Sequence, residues 1–240
     1  NQPTSEPGSA PSIDRATAIK TLLLSVSSKD ALDDGSSSQG KALLWVTSED
    51  PIEPQLQPGV DNAQIIQRYV LAVLYYATNG EGWGNSAGWL GIQNECDWYA
   101  GYGVTCSNSM VTSLWFLSNN LSGTIPSEIG VLTNLFELRL GNNNLSGTIP
   151  SEIGLLTNLN YLFLNDNALS GTIPSEIGLL TNLNYLYLNN NDLSGTIPST
   201  LGLLTKLSYL YLPDNDLSSS IPSEIGLLTN LSQLYLNNND

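Results

Sequence analysis

The chain has 240 residues, 41% of them hydrophobic, which is enough to bury a sizeable core in one or two domains. Seven Lys and Arg residues against 22 Asp and Glu residues leave a formal charge of -15. Because this charge opposes the phosphate contacts on which nucleic-acid binding depends, no nucleic-acid partner is predicted. No apolar run approaches the roughly 20 residues that cross a bilayer, so no membrane insertion is predicted within this chain.

The first 60 residues are predicted to form an N-terminal arm and two short helices. Residues 1–12, rich in Pro, Ser and Gly, form the arm. Apolar side chains at helical spacing predict a first helix over Ile13–Val26. Ser36 and Gln39 make a capping box before a second helix over Lys41–Val46. The prolines of Glu49–Gly59 then predict a connector.

Residues 61–110 are predicted to form a helical, Trp-rich N-terminal cap. Asp61 and Gln64 make another capping box, an apolar helical period runs over Ile65–Ala77, and Asn79-Gly80 closes the helix. The two capping boxes favour packing of residues 13–60 on this cap.

The end of the cap is aromatic and holds both cysteines of the chain. Trp83, Trp89 and Trp98 follow no periodicity, which is typical of a plug that covers an apolar surface. Cys96 and Cys106 lie ten positions apart, and the sequence has no histidine or third cysteine to complete a metal site. A local disulfide, an oxidising compartment and no bound metal are therefore predicted.

Residues 111–240 repeat one 24-residue unit in five full copies and one partial copy, with the pattern L-x-x-L-x-L-x-x-N-x-L-S-G-T-I-P-S-E-I-G-L-L-T-N. The L-x-x-L-x-L segment predicts a short strand that pairs in parallel with the next coil, about 4.8 Å away, while its leucines point inward. The fold class is therefore an α/β repeat, a right-handed solenoid with a parallel β-sheet, preceded by a mostly helical region and a disulfide-stapled cap.

Two further columns shape each coil. One asparagine per coil lies where the chain turns inward, and we interpret these as a structural ladder whose amides satisfy backbone groups; its members are Asn119, Asn143, Asn167, Asn191, Asn215 and Asn239. A glycine in the next bend supplies unusual backbone angles. Ser219 replaces that glycine in the fifth unit, and we expect its coil to bend differently.

The L-S-G-T-I-P segment over Leu145–Pro150 resembles the plant-type leucine-rich-repeat family. Cys96-Asp97-Trp98, followed by Gly103-Val104-Thr105-Cys106, is similar to that family's N-terminal cap, although the usual upstream cysteines are absent. Tyr75–Trp83 and the long cap loop look more like secreted or surface repeat proteins of diatoms and related algae. The resemblance covers roughly residues 61–240. It implies an extracellular recognition protein, since the family includes receptor ectodomains and inhibitors of wall-degrading glycosidases.

No enzyme activity and no cofactor are predicted. The chain has no histidine, which excludes His-based catalytic triads and most zinc sites. It has no Gly-Lys-Ser/Thr phosphate loop either. Paired glycosidase carboxylates need two different environments, whereas the repeat carboxylates occupy copies of one.

The outward side chains of the strands are predicted to form an exposed, concave sheet face, which is the candidate partner-binding surface. Its residues are Trp115, Glu137, Arg139, Tyr161, Phe163, Tyr185, Tyr187, Tyr209, Tyr211 and Tyr235. Tyr and Trp are enriched in binding hot spots, but stacked tyrosines that only strengthen the sheet would give the same columns. The predicted ligand is a protein or a carbohydrate.

Three other features have functional interpretations of their own. One carboxylate per coil indicates a solvated face rather than a cation site, formed by Glu128, Glu152, Glu176 and Glu224. A threonine row offers hydroxyl groups suited to ice or a crystalline polysaccharide, namely Thr124, Thr148, Thr172 and Thr196. Three sequons permit N-glycosylation, at Asn120, Asn144 and Asn230.

The sequence thus predicts a secreted or cell-surface recognition module. The alternative is a structural or assembly protein of a cell wall or extracellular matrix, which self-associates through its uncapped C-terminal end. Narrower alternatives are a glycosidase inhibitor and an ice- or polysaccharide-surface binder. Because the chain stops within a sixth unit and begins without methionine, we expect a fragment of a longer array whose signal peptide has been removed.

Overall fold

The computed structural model describes residues 14–52, 62–98 and 103–240. The predicted arm over residues 1–12, Asp61 of the second capping box and most of the predicted connector lie outside the described residues.

Four α-helices precede the repeats in the described part of the chain: α1 (Arg15–Leu23), α2 (Lys29–Asp33), α3 (Ser38–Leu44) and α4 (Ala63–Ala77). A π-helical turn, Trp45–Glu49, follows α3 directly. The sequence predicts no helix at α2. The cap predicted for α3 is wrong by one residue, because Ser37 rather than Ser36 accepts the hydrogen bond from Gly40 N, at 2.8 Å.

The predicted packing of the N-terminal helices on the cap is confirmed, since α1 and α3 both pack against α4. Asn79 ends the α4 region in the left-handed conformation, with φ at 57°. Arg68, on α4, is fully buried between the rings of Trp45 and Trp98, each centred 5.1 Å from its guanidinium carbon. It donates to both carboxylate oxygens of Asp50 at 2.6 Å and to Glu95 at 2.9 Å. A planar guanidinium suits both the stacked and the bidentate contacts.

The Trp-rich segment is the predicted plug. Trp83, Trp89 and Trp98 are buried, and the rings of Trp83 and Trp89 lie 5.2 and 5.5 Å from that of Phe116 in the first coil. The predicted disulfide between Cys96 and Cys106 is present. The cap therefore covers the apolar start of the solenoid.

Two sheets run along the solenoid. The first has seven strands in the order β1-β2-β4-β6-β8-β10-β12. Its strands are β1 (Val104–Ser107), β2 (Met110–Trp115), β4 (Glu137–Arg139), β6 (Tyr161–Phe163), β8 (Tyr185–Tyr187), β10 (Tyr209–Tyr211) and β12 (Gln233–Tyr235). Only the β1–β2 pair is antiparallel. Leu138 pairs with Leu162, and Leu162 with Leu186, so the 24-residue register is confirmed.

The second sheet has five strands in the order β11-β9-β7-β5-β3. Its strands are β3 (Ser122–Thr124), β5 (Asn144–Gly147), β7 (Ala168–Thr172), β9 (Asp192–Gly195) and β11 (Asp216–Leu217). Each coil then closes through a 3₁₀ turn that follows its proline. These turns are Ser127–Val131, Ser151–Leu155, Ser175–Leu179, Ser199–Leu203 and Ser223–Leu227.

The asparagine column links successive coils by hydrogen bonds. Asn143 Nδ2 donates to the carbonyl oxygens of Phe116 and Leu140, at 2.7 and 2.9 Å. Its Oδ1 accepts from the backbone N–H groups of Asn119 and Leu121, both at 3.0 Å. One amide thus satisfies backbone groups of two coils, and Asn167, Asn191, Asn215 and Asn239 each bridge two coils in the same way.

Ser219, at which the coil is expected to bend differently, keeps the φ of the equivalent glycines. Its φ of 79° matches the 73–76° of Gly147, Gly171 and Gly195, so the serine adopts the left-handed conformation that favours glycine. The strand beside it, β11, is nevertheless shortened to two residues.

Candidate partner-binding face

The structure places all the predicted partner-binding residues on the outward side of the seven-stranded sheet, which we call the sheet face. Successive strands pair Trp115 with Arg139, and Arg139 with Phe163. The same column continues through Tyr187, Tyr211 and Tyr235. Beside it run Glu137, Tyr161, Tyr185 and Tyr209. Parallel pairing in exact register therefore gathers residues that are 24 positions apart.

The aromatic rings of each column stack on one another. In the second column, the Tyr185 ring lies 4.7 Å from Tyr161 and 4.6 Å from Tyr209, with interplanar angles of 12° and 9°. In the first column, Phe163 and Tyr187 are 4.5 Å apart and 8° from parallel, and Tyr211 lies 4.4 Å beyond Tyr187. These ring distances are close to the predicted separation of about 4.8 Å between paired strands.

Stacking determines which part of each ring meets the solvent. Stacked rings cover both faces of Tyr185 and one face of Tyr187, and the Tyr211 ring is tilted by 47° against the other face of Tyr187. The edges and hydroxyl groups of Tyr185 and Tyr187 therefore remain outermost. Burial raises the pKa of Tyr187 above 10.0, and the neighbouring phenols Tyr211 and Tyr185 add to the rise. Tyr187 therefore remains a neutral phenol at ordinary pH.

A single cation lies within the aromatic columns. The guanidinium carbon of Arg139 is 4.5 Å from the centre of the Trp115 ring and 4.6 Å from that of Phe163, so the cation is stacked between two rings. Arg139 also pairs with Glu137, which accepts a further hydrogen bond from Ser113 at 3.1 Å. The N-terminal end of the sheet face is therefore charged and internally paired, whereas its C-terminal end is phenolic.

One edge of the sheet face contains residues that the sequence prediction missed. Phe136 is 48% exposed, and its ring lies 5.6 Å from that of Tyr161. Beside it runs a trough lined by Asn134, Asn158, Asn160, Asn182 and Lys206. Lys206 donates to Asn182 Oδ1 at 2.6 Å. Lys206 could have pointed to this trough in the sequence, because it replaces the asparagine that ends the repeat pattern in the other coils.

The carboxylate file is not the uniform solvated face that the sequence predicts. Glu128 is only 4% exposed and accepts hydrogen bonds from Ser27 at 2.7 Å and from Gln39 at 3.0 Å. The N-terminal helices bury this copy, whereas Glu152, Glu176 and Glu224 remain partly exposed.

The remaining predicted positions lie at the surface. The sequon asparagines Asn120, Asn144 and Asn230 are exposed, and their glycosylation stays a prediction. The threonine row is exposed too, at the end of the second sheet's strands.

Within residues 14–52, 62–98 and 103–240, no cluster of His, Cys, Asp and Glu is arranged to hold a metal ion. No helix in those same ranges has the length and apolarity needed to cross a membrane.

Comparison with known proteins places the repeats in a family. The leucine-rich-repeat model matches residues 134–156, 158–180, 182–204 and 206–228. The solved BIR3–SERK2 complex from Arabidopsis thaliana contains a chain 38% identical to this one, with a TM-score of 0.55. The match covers 62% of this chain and 78% of that one. The chain belongs to the leucine-rich-repeat family.

Other solved leucine-rich-repeat structures are plant receptor ectodomains. The ectodomain of the receptor kinase SOBIR1 from Arabidopsis thaliana is 29% identical, with a TM-score of 0.60, over 75% of this chain and 93% of that one. The GASSHO1/SCHENGEN3 ectodomain from the same plant, in complex with CASPARIAN STRIP INTEGRITY FACTOR 2, is 40% identical, with a TM-score of 0.59. That match covers 62% of this chain but only 18% of the receptor chain. No curated protein sequence matches this leucine-rich-repeat chain.

Proposed function

We propose that this leucine-rich-repeat chain is an extracellular recognition module that binds a protein partner across the sheet face. The observation that carries the proposal is the pair of stacked aromatic columns, which present ring edges and phenol hydroxyls over several consecutive coils. Such rigid amphipathic side chains are enriched in binding hot spots.

The stacking favours a protein over a carbohydrate. A sugar recognised by stacking lies flat against an aromatic face, but stacked rings at 4.5–4.7 Å already cover both faces of Tyr185 and one face of Tyr187. The tilted ring of Tyr211, 4.4 Å away, obstructs the other face of Tyr187. The exposed edges and hydroxyls can instead pack against side chains and hydrogen-bond to the backbone of an extended polypeptide.

The similar structures support the same class of partner. One is a receptor ectodomain in complex with CASPARIAN STRIP INTEGRITY FACTOR 2, and another is a complex of BIR3 with SERK2. These are properties of those proteins, and this chain spans less than a fifth of the first one. An extracellular location is proposed on the same basis, together with the disulfide. The narrower resemblance to diatom and algal proteins stays a prediction.

Affinity capture from extracellular material tests the proposal with three variants. The first changes Tyr185, Tyr187, Tyr209 and Tyr211 to Ala, which removes the rings. The second changes the same four residues to Phe, which keeps the stacks and removes the hydroxyls. The control changes Thr124, Thr148, Thr172 and Thr196 to Ala, which alters one exposed residue in each of four coils of the second sheet.

We expect the intact chain and the threonine control to retain the same protein, the Ala variant to lose it and the Phe variant to bind it more weakly. Protease treatment of the extract should abolish capture, whereas glycosidase treatment should not. Equal capture by the intact chain and a folded Ala variant would refute the proposal. If both retain nothing, and light scattering shows concentration-dependent oligomers, the structural or assembly alternative is favoured.

A further inference from the structure

Each coil carries a second regular surface on its 3₁₀ turn. Residues three apart in a 3₁₀ helix eclipse one another, so the second and fifth residues of every turn project together. These pairs form the leucine–glutamate ridge: Glu128 with Val131, Glu152 with Leu155, Glu176 with Leu179, Thr200 with Leu203, and Glu224 with Leu227. Four of its aliphatic residues are more than half exposed, namely Leu155, Leu179, Leu203 and Leu227.

The chain itself covers the first pair of the ridge. Helix α4 packs against the turn Ser127–Val131, and Val131 lines one groove together with Ala63 and Ile66 of α4. Glu128 is buried there and accepts hydrogen bonds from Ser27 and Gln39. The cover on this coil is therefore a helix with aliphatic side chains, flanked by hydroxyl and amide donors.

The later pairs have the same local structure without the cover. Among the described residues, Glu152 and Glu176 each accept a side-chain hydrogen bond only from the serine before them, at 3.2 Å. Glu128 has the equivalent contact with Ser127, at 3.4 Å, in addition to its bonds from the N-terminal helices. Helix α4 also packs against β2 and β3, so it lies across the end of the first coil; in the later coils that side is taken by the preceding 3₁₀ turn. The outward aliphatic residues Leu155, Leu179 and Leu203 of those coils remain more than half exposed.

The ridge is also continuous. A Cβ atom on Gly130 would lie 2.4 Å from the carbonyl oxygen of Glu152, and one on Gly154 would lie 2.5 Å from that of Glu176. Because these glycines have no Cβ atom, successive 3₁₀ turns can contact each other. Strand neighbours repeat about every 4.8 Å, close to the helical pitch of about 5.4 Å. An α-helix lying along the ridge could place one aliphatic side chain on each coil.

We propose that the leucine–glutamate ridge of the second to fifth coils docks an amphipathic α-helix of a partner protein. Aliphatic side chains of that helix pack on Leu155, Leu179 and Leu203. Hydroxyl, amide or ammonium donors beside them bind Glu152 and Glu176, as Ser27 and Gln39 bind Glu128. An exposed apolar strip rimmed by polar groups is typical of an interaction site.

A second copy of the chain fits this surface less well. Two ridges facing each other would oppose Glu152 and Glu176 with like charges, in a chain whose formal charge is already -15. The donors Ser27 and Gln39 of another copy are also engaged with its own Glu128. The ridge is separate from the sheet face, so the inference does not depend on the proposed function.

A displayed library of amphipathic helices tests the inference. Each peptide has about 18 residues, roughly 27 Å when helical, with aliphatic residues along one side and Ser, Gln or Lys beside them. A matched library has the same composition in scrambled order. Enriched peptides are then measured against the intact chain, a ridge variant with Leu155, Leu179 and Leu203 changed to Gln, and a sheet-face variant with Tyr185 and Tyr209 changed to Ala.

We expect enrichment only from the amphipathic library. The ridge variant should weaken binding at least about tenfold, since three apolar contacts are lost, while the sheet-face variant binds normally. Changing Glu152 and Glu176 to Gln should weaken the same peptides again. Equal enrichment of the scrambled library, unchanged binding to the ridge variant, or equal loss in both variants would overturn the inference. Circular dichroism of each variant confirms that it is folded.

Discussion

Arg68 holds Asp50 through two parallel hydrogen bonds of 2.6 Å, and both side chains are almost completely excluded from solvent. This contact joins α4 to the end of the π-helical turn, so it fixes the N-terminal helices on the cap. Breaking a buried ion pair leaves a charge without compensation, which costs far more than losing an exposed pair.

Changing Arg68 to Met should therefore lower the free energy of unfolding by about 3–5 kcal/mol, as measured by urea denaturation. Both Asp50 and Glu95 lose their partner in this variant. Changing Lys29 to Met is the control, because its pair with Asp33 is exposed; its effect on the free energy of unfolding should be far smaller than that of Arg68→Met. A loss of less than 1 kcal/mol for Arg68→Met would contradict the role assigned to the pair.

The asparagine ladder makes a second prediction. Asn167 Nδ2 donates to the carbonyl oxygens of Leu140 and Leu164, and its Oδ1 accepts from Leu145 N. Asn167→Ala leaves the buried Leu145 N–H without its acceptor, while the carbonyls of Leu140 and Leu164 each keep one donor, from Asn143 and Asn191. The variant should cost about 2 kcal/mol. The control is Asn158→Ala, since Asn158 is exposed and donates to Thr133 O; about 1 kcal/mol or less is expected there. Similar losses of unfolding free energy in Asn167→Ala and Asn158→Ala would show that the ladder stabilises the fold no more than an exposed asparagine does.

Ser219 offers a stabilising substitution. Its φ of 79° is strained for a residue with a side chain, so Ser219→Gly should raise the free energy of unfolding by about 1 kcal/mol. The matched control is Ser218→Gly, because Ser218 is not in the left-handed region. There the added backbone freedom should lower stability by about 0.5–1 kcal/mol. Effects of the same sign at both positions would refute the explanation by backbone strain.

Tyr69 predicts a loss of stability at alkaline pH. Burial raises its pKa above 10.0, the hydrogen bond with Ser27 opposes the rise, and the charge of Glu128 adds to it. Because the folded state holds this proton more tightly than the unfolded state, the contribution is fully present below pH 10 and is lost as the pH rises through the raised pKa. The free energy of unfolding, measured from neutral pH to above pH 10, should fall less steeply for Tyr69→Phe. Equal slopes for the intact chain and Tyr69→Phe would indicate that other groups cause the loss of stability. The Ser27→Ala variant keeps the Tyr69 phenol, so its stability should still fall at alkaline pH.

Most of the fold could be predicted from two periodicities in the sequence, the 24-residue repeat and the apolar helical period. The 24-residue period places Leu138, Leu162 and Leu186 in register, because every coil copies one strand geometry. The apolar helical period predicts α4 to within two residues of its start at Ala63. Helix α2 could not be predicted in this way, because it has five residues and buries only Leu32. A helix of that length is too short to show an apolar period.

Contacts between distant segments could not be predicted in this way. Glu128 and Glu152 occupy the same position of the repeat, yet only Glu128 is buried, because Ser27 lies 101 positions away in sequence and reaches it in space. The predicted capping box fails because the N-cap is Ser37, which puts Gln39 one position before the box position; its side chain donates to Glu128. On the sheet face, the columns follow from the repeat, but the stacking of Arg139 depends on Trp115 and Phe163 being its particular neighbours.

The clustering of aromatic residues around the cap also gives the molecule two separate optical reporters. All five tryptophans lie at or before residue 115, and Trp45, Trp83, Trp89 and Trp98 belong to one buried core. The later coils carry tyrosines and no tryptophan. Tryptophan fluorescence therefore reports on the helical cap and the first coil, while tyrosine absorbance changes follow the later coils as well. If the two signals change at different urea concentrations, the cap and the repeats unfold in separate steps, and the order of the transitions shows which part protects the other.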